Sequence, residues 1–287
     1  MKDYSLVDDE LIRRIVKPRN ILSRKGENGI ALVVGGSRLY HGAPLLSSLA
    51  ALRSGTDLVY TAIPKINLIS SRIFSPDLII LPFPDDKLTN GSVRRLINSL
   101  PKKIDAAAIG MGLNMSKSQP LSLLIRELLA DNSHLVIDAG ALHPEILPHI
   151  TNNDTIVTPH AGEFKRLFGD EPTTMLTEQI KLVSRKAKEF GLTIVLKGYQ
   201  NIVSDGVSTF VLKRTTPSMT VGGTGDILSG LITGFRTKYE SLNSSLLGLF
   251  FNGKAALRLS NKIGLHMLAS DLLTELPFVM KEYDTIN

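Results

Sequence analysis

The chain has 287 residues, 43% hydrophobic and 21% charged, which is ordinary globular composition, and no apolar run approaches the ~18 residues of a membrane span. It contains no cysteine, so disulfides, thiolate metal sites and a cysteine nucleophile are excluded. The formal net charge is +6, but the basic residues fall in short pairs such as Arg13-Arg14, Arg94-Arg95 and Lys102-Lys103, which suits small anionic ligands and predicts no nucleic-acid partner.

The N-terminus carries Asp8, Asp9 and Glu10, where a signal peptide would be basic and then apolar. A soluble, cytoplasmic protein is expected, with residues 1–20 as a short helical leader. Short apolar runs then predict strands over 30–34, 57–63, 78–81, 106–109, 135–137, 156–158 and 193–196. Amphipathic periodicity predicts helices over 43–54, 119–130, 163–168 and 177–190. Strands alternating with helices imply βαβ crossovers and a mostly parallel sheet covered on both faces. Beyond Lys197 the pattern changes: 201–204 and 208–212 flank Asp205-Gly206 and read as a hairpin. Helices over 225–236, 244–260 and 270–280 complete the chain. No repeat or long linker divides it, so a single α/β domain over 1–287 is expected.

In such sheets ligands bind beyond the carboxyl ends of the strands. Five predicted strands end there in glycine-bearing or polar segments: Gly35-Gly36-Ser37, Gly110-Met111-Gly112, Asp138-Ala139-Gly140, Pro159-His160-Ala161-Gly162-Glu163 and Lys197-Gly198. The sixth element of a composite site is Gly222-Gly223-Thr224-Gly225-Asp226, leading into an apolar helix. The free N–H groups and positive dipole of a helix start attract anions. An aspartate there opposes that preference unless it accepts a proton from a hydroxyl attacking a phosphoryl group. A simple helix cap would account for Thr224 and Asp226 but not for the glycines around them. No lysine follows the glycines as in a P-loop, and no G-x-G-x-x-G fingerprint follows the first strand.

His160 and Glu163 admit two readings. Glu163 suits the first turn of its helix, yet it can also hold Mg²⁺ through water near phosphates, and His160 can contact substrate. Lys197 is either a snorkelling surface lysine or a phosphate contact, and Gly198 beside it favours the latter. Asp138 lies in or beside the site, holding loops or taking part in chemistry. His41, Asp57, His143 and His266 have no partner visible in sequence and receive no role.

In order along the chain, Val34-Gly35-Gly36-Ser37 with Tyr40-His41-Gly42-Ala43, then Gly110-Met111-Gly112-Leu113, Asp138-Ala139, Thr158-Pro159-His160-Ala161-Gly162-Glu163, Lys197-Gly198 and Gly222–Asp226 resemble the ADP/ATP-dependent NAD(P)H-hydrate dehydratases of the ribokinase-like superfamily. The resemblance runs from about residue 30 to the final helices. It implies a metabolite-repair lyase that phosphorylates the ring hydroxyl of NADHX or NADPHX and eliminates phosphate. It implies Asp226 as base, with Gly223, Thr224 and Gly225 around the transferring phosphoryl group. Ala43, Gly112, His160 and Asp226 would line the hydrated-dinucleotide site. Lys197, Gly198, Tyr199, Gln200, Asn201 and Gly225 would hold ADP or ATP, with Mg²⁺ as cofactor.

Several positions depart from the family pattern. K-G-x-x-T is here Lys197-Gly198-Tyr199-Gln200-Asn201, G-P-G-L-G is Gly110-Met111-Gly112-Leu113-Asn114, and Thr216-Pro217-Ser218 stands where G-N-P-G is usual. The epimerase domain often fused upstream is not expected, so an epimerase partner would be a separate chain. A homo-oligomer is expected. The rival readings are a small-molecule kinase of the same superfamily, acting on a sugar or vitamin alcohol, and a non-catalytic nucleotide binder.

Overall fold

The computed structural model describes residues 4–84, 87–115, 118–213 and 215–287; residues 1–3 of the expected leader lie outside them. Among the described residues, ten strands form one sheet: β1 (Ser5–Leu6), β2 (Ile30–Val34), β3 (Leu58–Pro64), β4 (Ile79–Phe83), β5 (Ala106–Ile109), β6 (His134–Ile137), β7 (Ile156–Val157), β8 (Thr193–Leu196), β9 (Gln200–Ser204) and β10 (Thr209–Lys213). Their spatial order is β1-β10-β9-β8-β7-β6-β5-β2-β3-β4. Only β9 runs antiparallel, to β8 on one side and β10 on the other. Asp205 shapes the hairpin between β9 and β10 by accepting the N–H groups of Val207 and Ser208 at 2.9 and 2.7 Å.

Alternation along each strand supplies two cores. Leu32, Val34, Ile109, Leu135, Ile137 and Ile194 face one side. There they meet α4 (Asn90–Ser99), α5 (Gln119–Ala130), α6 (Leu147–Ile150), α7 (Ala161–Phe168) and α8 (Leu176–Phe190). Val136, Ile156, Val195 and Val203 face the other, under α9 (Thr224–Arg236), α10 (Ser241–Ile263) and α11 (Ala269–Met280). Because both faces are covered, the strands read as continuous apolar runs. Among the described residues, no helix is long and apolar enough to cross a membrane.

The packing of α9 against α2 (Gly42–Arg53) sets the position of the site. A Cβ at Gly230 would lie 2.0 Å from the Ser47 carbonyl oxygen, and one at Gly234 would lie 2.7 Å from that of Ala51. Glycine at both positions therefore lets the two helix backbones touch. The small strand residues Ala31 and Ala108 pack on Ala51 beneath α2. The start of α9 is thereby fixed at the carboxyl edge of the sheet. β2 pairs with both β3 and β5, so the chain reverses its direction of winding there, where a crevice opens.

Three elements carry no clear signal in the sequence. α4 starts at a Thr89/Ser92 capping box, whose Asn90-Gly91 reads locally as a turn. α3 (Leu68–Phe74) leaves Ile69, Ile73 and Phe74 exposed, so it lacks a core-facing period. The leader is also more than helical: α1 (Asp9–Ile15) is preceded by β1, which extends the sheet in parallel beside β10. A two-residue strand has too few positions to show alternation.

Candidate active site

The glycine turn starts α9 without a side-chain cap. Gly223 occupies the N-cap of α9 at φ +98°, a left-handed conformation that favours glycine, and no side-chain hydrogen bond caps the helix. Thr224 does not act as the cap. Its hydroxyl donates to the carbonyls of Met219 and Val221 at 2.9 and 3.0 Å, which ties down the turn. The N–H groups of Gly225 and Asp226 have no partner among the described residues, so they remain available to an anion.

Asp226 sits in the first turn behind these donors. Burial is the main cause of an unusual carboxyl, reinforced by the nearby charge of Asp138 and opposed by that of Lys197. Together they push its pKa up to about 7. A carboxylate with that value is a competent proton acceptor near neutrality.

Lys197 organises the remaining charges. Its backbone N–H donates to the Pro159 carbonyl at 2.8 Å, which joins the end of β8 to the segment after β7. Its ammonium donates to Asp138 Oδ1 at 2.7 Å and lies 3.7 Å from Glu163 Oε2. Burial disfavours the lysine charge, but Asp138, Glu163 and Asp226 outweigh it and hold its pKa above the usual lysine value. Asp138 is anchored from the other side by Ser229, whose hydroxyl donates to Oδ2 at 2.6 Å. Ser229 lies one turn along α9 from Asp226, so one buried carboxylate links α9 to the lysine.

Glu163 and His160 close a capping box at the start of α7. The His160 N–H donates to Glu163 Oε2 at 2.9 Å, while His160 Nδ1 accepts the N–H groups of Gly162 and Glu163 at 3.0 and 3.2 Å. Asn201 likewise ties its own neighbourhood together. Its Oδ1 accepts the Gly198 N–H at 3.2 Å, and its Nδ2 donates to the Leu212 carbonyl at 3.3 Å.

Two cavities meet at the glycine turn. One, about 360 Å³, is lined by Lys197, Gly198, Asn201, Thr224 and Gly225, and closes on apolar side chains such as Leu212 and Leu249. The other, about 630 Å³, is lined by Ala43, Gly112, Gly222, Gly223 and Asp226, with Tyr40 and His41 at its rim. The turn is thus a shared wall with Gly225 on one side and Asp226 on the other. His160 lines the first cavity, not the one formed by Ala43 and Gly112, beside which the family resemblance puts it. Tyr199 and Gln200 line neither cavity, and Tyr199 is exposed with the Lys213 ammonium 5.2 Å from its ring centre.

Sequence reasoning missed Ser229 and Asn252. Asn252 is buried and donates to the Thr224 carbonyl at 3.3 Å from the wall of the smaller cavity. Both lie inside helices in otherwise apolar stretches, so their isolated polarity was the only available signal.

A profile of the NAD(P)H-hydrate dehydratase family matches residues 31–278. The chain belongs to this family. It is 53% identical over 277 residues to the ADP-dependent (S)-NAD(P)H-hydrate dehydratase of Nitrosopumilus maritimus, covering 96% of each chain. It is 46% identical over 282 residues to the enzyme of the same name from Cenarchaeum symbiosum, covering 98% of each. The fold is similar to that of the ADP/ATP-dependent NAD(P)H-hydrate dehydratase of Bacillus subtilis, co-crystallised with ATP and Mg²⁺, at TM-score 0.84 and 24% identity over 99% of this chain and 100% of that one. Of the departures from the family pattern, Met111 is fully buried in the apolar cluster beneath α2, and Asn201 bridges β9 to Leu212 of β10.

Proposed function

We propose that this chain restores NAD(P)H from its hydrates, using ADP as phosphoryl donor. The observation that carries the reading is the meeting of two cavities at the Gly222–Asp226 turn, because phosphoryl transfer needs donor and acceptor on opposite sides of one anion site. The nucleotide enters the Lys197 side, where Lys197, Gly198 and Asn201 receive its phosphates and Leu212 and Leu249 receive its base. The hydrated nicotinamide enters the Ala43 side. Asp226 takes the ring-hydroxyl proton as the oxygen attacks, and the N–H groups of the turn stabilise the transferring charge. Thr224 acts through the turn it ties down. ADP as donor agrees with the names of the two archaeal relatives.

The protein's donors suit Mg²⁺ only through water and phosphate oxygens. Glu163 commits Oε2 to the His160 N–H, and its Oε1 has His160 Nε2 at 3.5 Å. Among the described residues, no group of three His, Asp or Glu side chains is arranged to hold a metal directly. When bound, Mg²⁺ would neutralise phosphate charge. An epimerase, acting as a separate chain, would supply the reactive epimer, and assembly into a homo-oligomer is part of this proposal.

The test is to incubate the purified chain with NADHX, Mg²⁺ and either ADP or ATP, following the return of reduced-nicotinamide absorbance. Recovery that requires nucleotide is the expected result, with ADP the better donor. A stable phosphorylated alcohol as the sole product would overturn the reading in favour of a kinase.

A further inference from the structure

Returning a hydrate to the dihydronicotinamide moves two protons. Water adds to an enamine with hydroxyl on the carbon beside nitrogen and hydrogen on its neighbour, so the hydrate carries oxygen at C6 and an extra hydrogen at C5. Phosphorylation releases the hydroxyl proton to Asp226. In the elimination that follows, phosphate departs with the C6–O electron pair. The C5–H pair must then become the C5=C6 bond, which requires a second acceptor while Asp226 still holds the first proton.

Among the described residues lining the larger cavity, the ionisable side chains are Tyr40, His41 and Asp226. A phenol gives rather than takes protons near neutrality, whereas imidazole accepts them readily. His41 stands at the N-cap of α2 but makes no capping hydrogen bond. Its ring has no other hydrogen bond or ion pair among the described residues, so no structural role accounts for it.

The turn that carries His41 is, in contrast, firmly built. The Tyr40 N–H donates to Ser37 Oγ at 3.1 Å, and Asn67 Nδ2 donates to the Ser37 carbonyl at 3.0 Å. Ser37 and Asn67 are both buried. Gly112 packs so closely beneath that a Cβ there would lie 2.6 Å from the Tyr40 carbonyl oxygen. A well-anchored turn thus holds an uncommitted imidazole at the mouth of the cavity that Asp226 also lines.

Resting on the repair reading above, we propose that His41 is the base that removes the C5 proton during elimination. The C5–H bond breaks to an imidazole nitrogen, C5=C6 forms, and C6–O breaks with its electron pair leaving on phosphate. His41 is exposed, so it returns the proton to solvent between turnovers.

The test compares wild type with His41→Ala and His41→Asn in single turnovers, with enzyme in excess over NADHX in the presence of Mg²⁺ and ADP, measuring AMP and reduced nicotinamide in the same quenched samples. In wild type the two should appear together. In both variants AMP should form at close to the wild-type rate, which also shows that they are folded. Reduced nicotinamide should lag by ~10-fold or more, the lower range for loss of a general base, with phosphorylated hydrate accumulating. Added imidazole should shorten the lag in His41→Ala. The proposal is overturned if reduced nicotinamide keeps pace with AMP in both variants, since phosphate or water then takes the proton. It is also overturned if AMP formation falls equally, since His41 would then act before elimination. A wild-type protein that forms no AMP removes the repair reading and this inference with it.

Discussion

Replacing Asp226 with asparagine should remove activity and, at alkaline pH, stabilise the protein. In the folded state Asp226 titrates at about 7 instead of its ordinary 3.8, so the native state binds this proton more tightly than the unfolded chain does. The stability contribution is therefore complete below about pH 4 and is lost as pH rises through about 7. Above that, the ionised carboxylate costs up to ~4 kcal/mol, at about 1.4 kcal/mol per pH unit between the two values. Asp226 keeps partial contact with solvent, and screening reduces the figure to about 2 kcal/mol. Asp226→Asn keeps the shape without the charge. Relative to wild type it should melt at a similar temperature at pH 4 and about 4 °C higher at pH 8.5, measured by calorimetry without ligands. Turnover of hydrate should fall by ~10²-fold or more. A melting difference that is the same at both pH values would refute the buried-carboxylate argument. Unchanged turnover would remove Asp226 as the base.

With Asp226 as the proposed base, the same titration predicts that kcat/KM for hydrate rises with pH and levels off above about pH 7, because only an ionised carboxylate can accept the hydroxyl proton; a flat profile from pH 5.5 to 8 would contradict this. Lys197→Met should destabilise the protein by ~3 kcal/mol or more, since it strands Asp138, whose side chain is only 2% exposed, without its cation. Chemical denaturation measures the loss, and an unchanged midpoint would mean that Asp138 is held by Ser229 alone. Gly230→Ala should cost about 2–3 kcal/mol by overpacking against the Ser47 carbonyl and lower activity by displacing the turn. Gly91→Ala, in the exposed first turn of α4, is the matched control and should be neutral or stabilising in the same unfolding assay.

The sequence by itself determined those features whose causes are local. Strands such as Ile30–Val34 and Ala106–Ile109 were visible because a strand buried on both faces has no need of polar residues. The β9–β10 hairpin was visible in Asp205-Gly206, whose backbone and side chain favour a turn on their own. The uncapped start of α9 was visible because glycines before an apolar helix offer no side-chain cap for its first N–H groups. α3 was not visible, since an exposed apolar stripe has no partner to define its period.

Tertiary structure alone decided how those pieces meet. Asp138 and Ser229 are 91 positions apart, and Asp138 and Lys197 are 59 apart, so no spacing rule links them. The placement of His160 on the Lys197 side follows from β7 lying beside β8, which is a matter of strand order. The elevated pKa of Asp226 arises from burial under neighbouring segments and from the charges of Asp138 and Glu163, against the opposing charge of Lys197. Propensity and periodicity act over a few residues of chain, whereas desolvation and Coulomb interaction depend on distance in space, and only the folded sheet sets those distances.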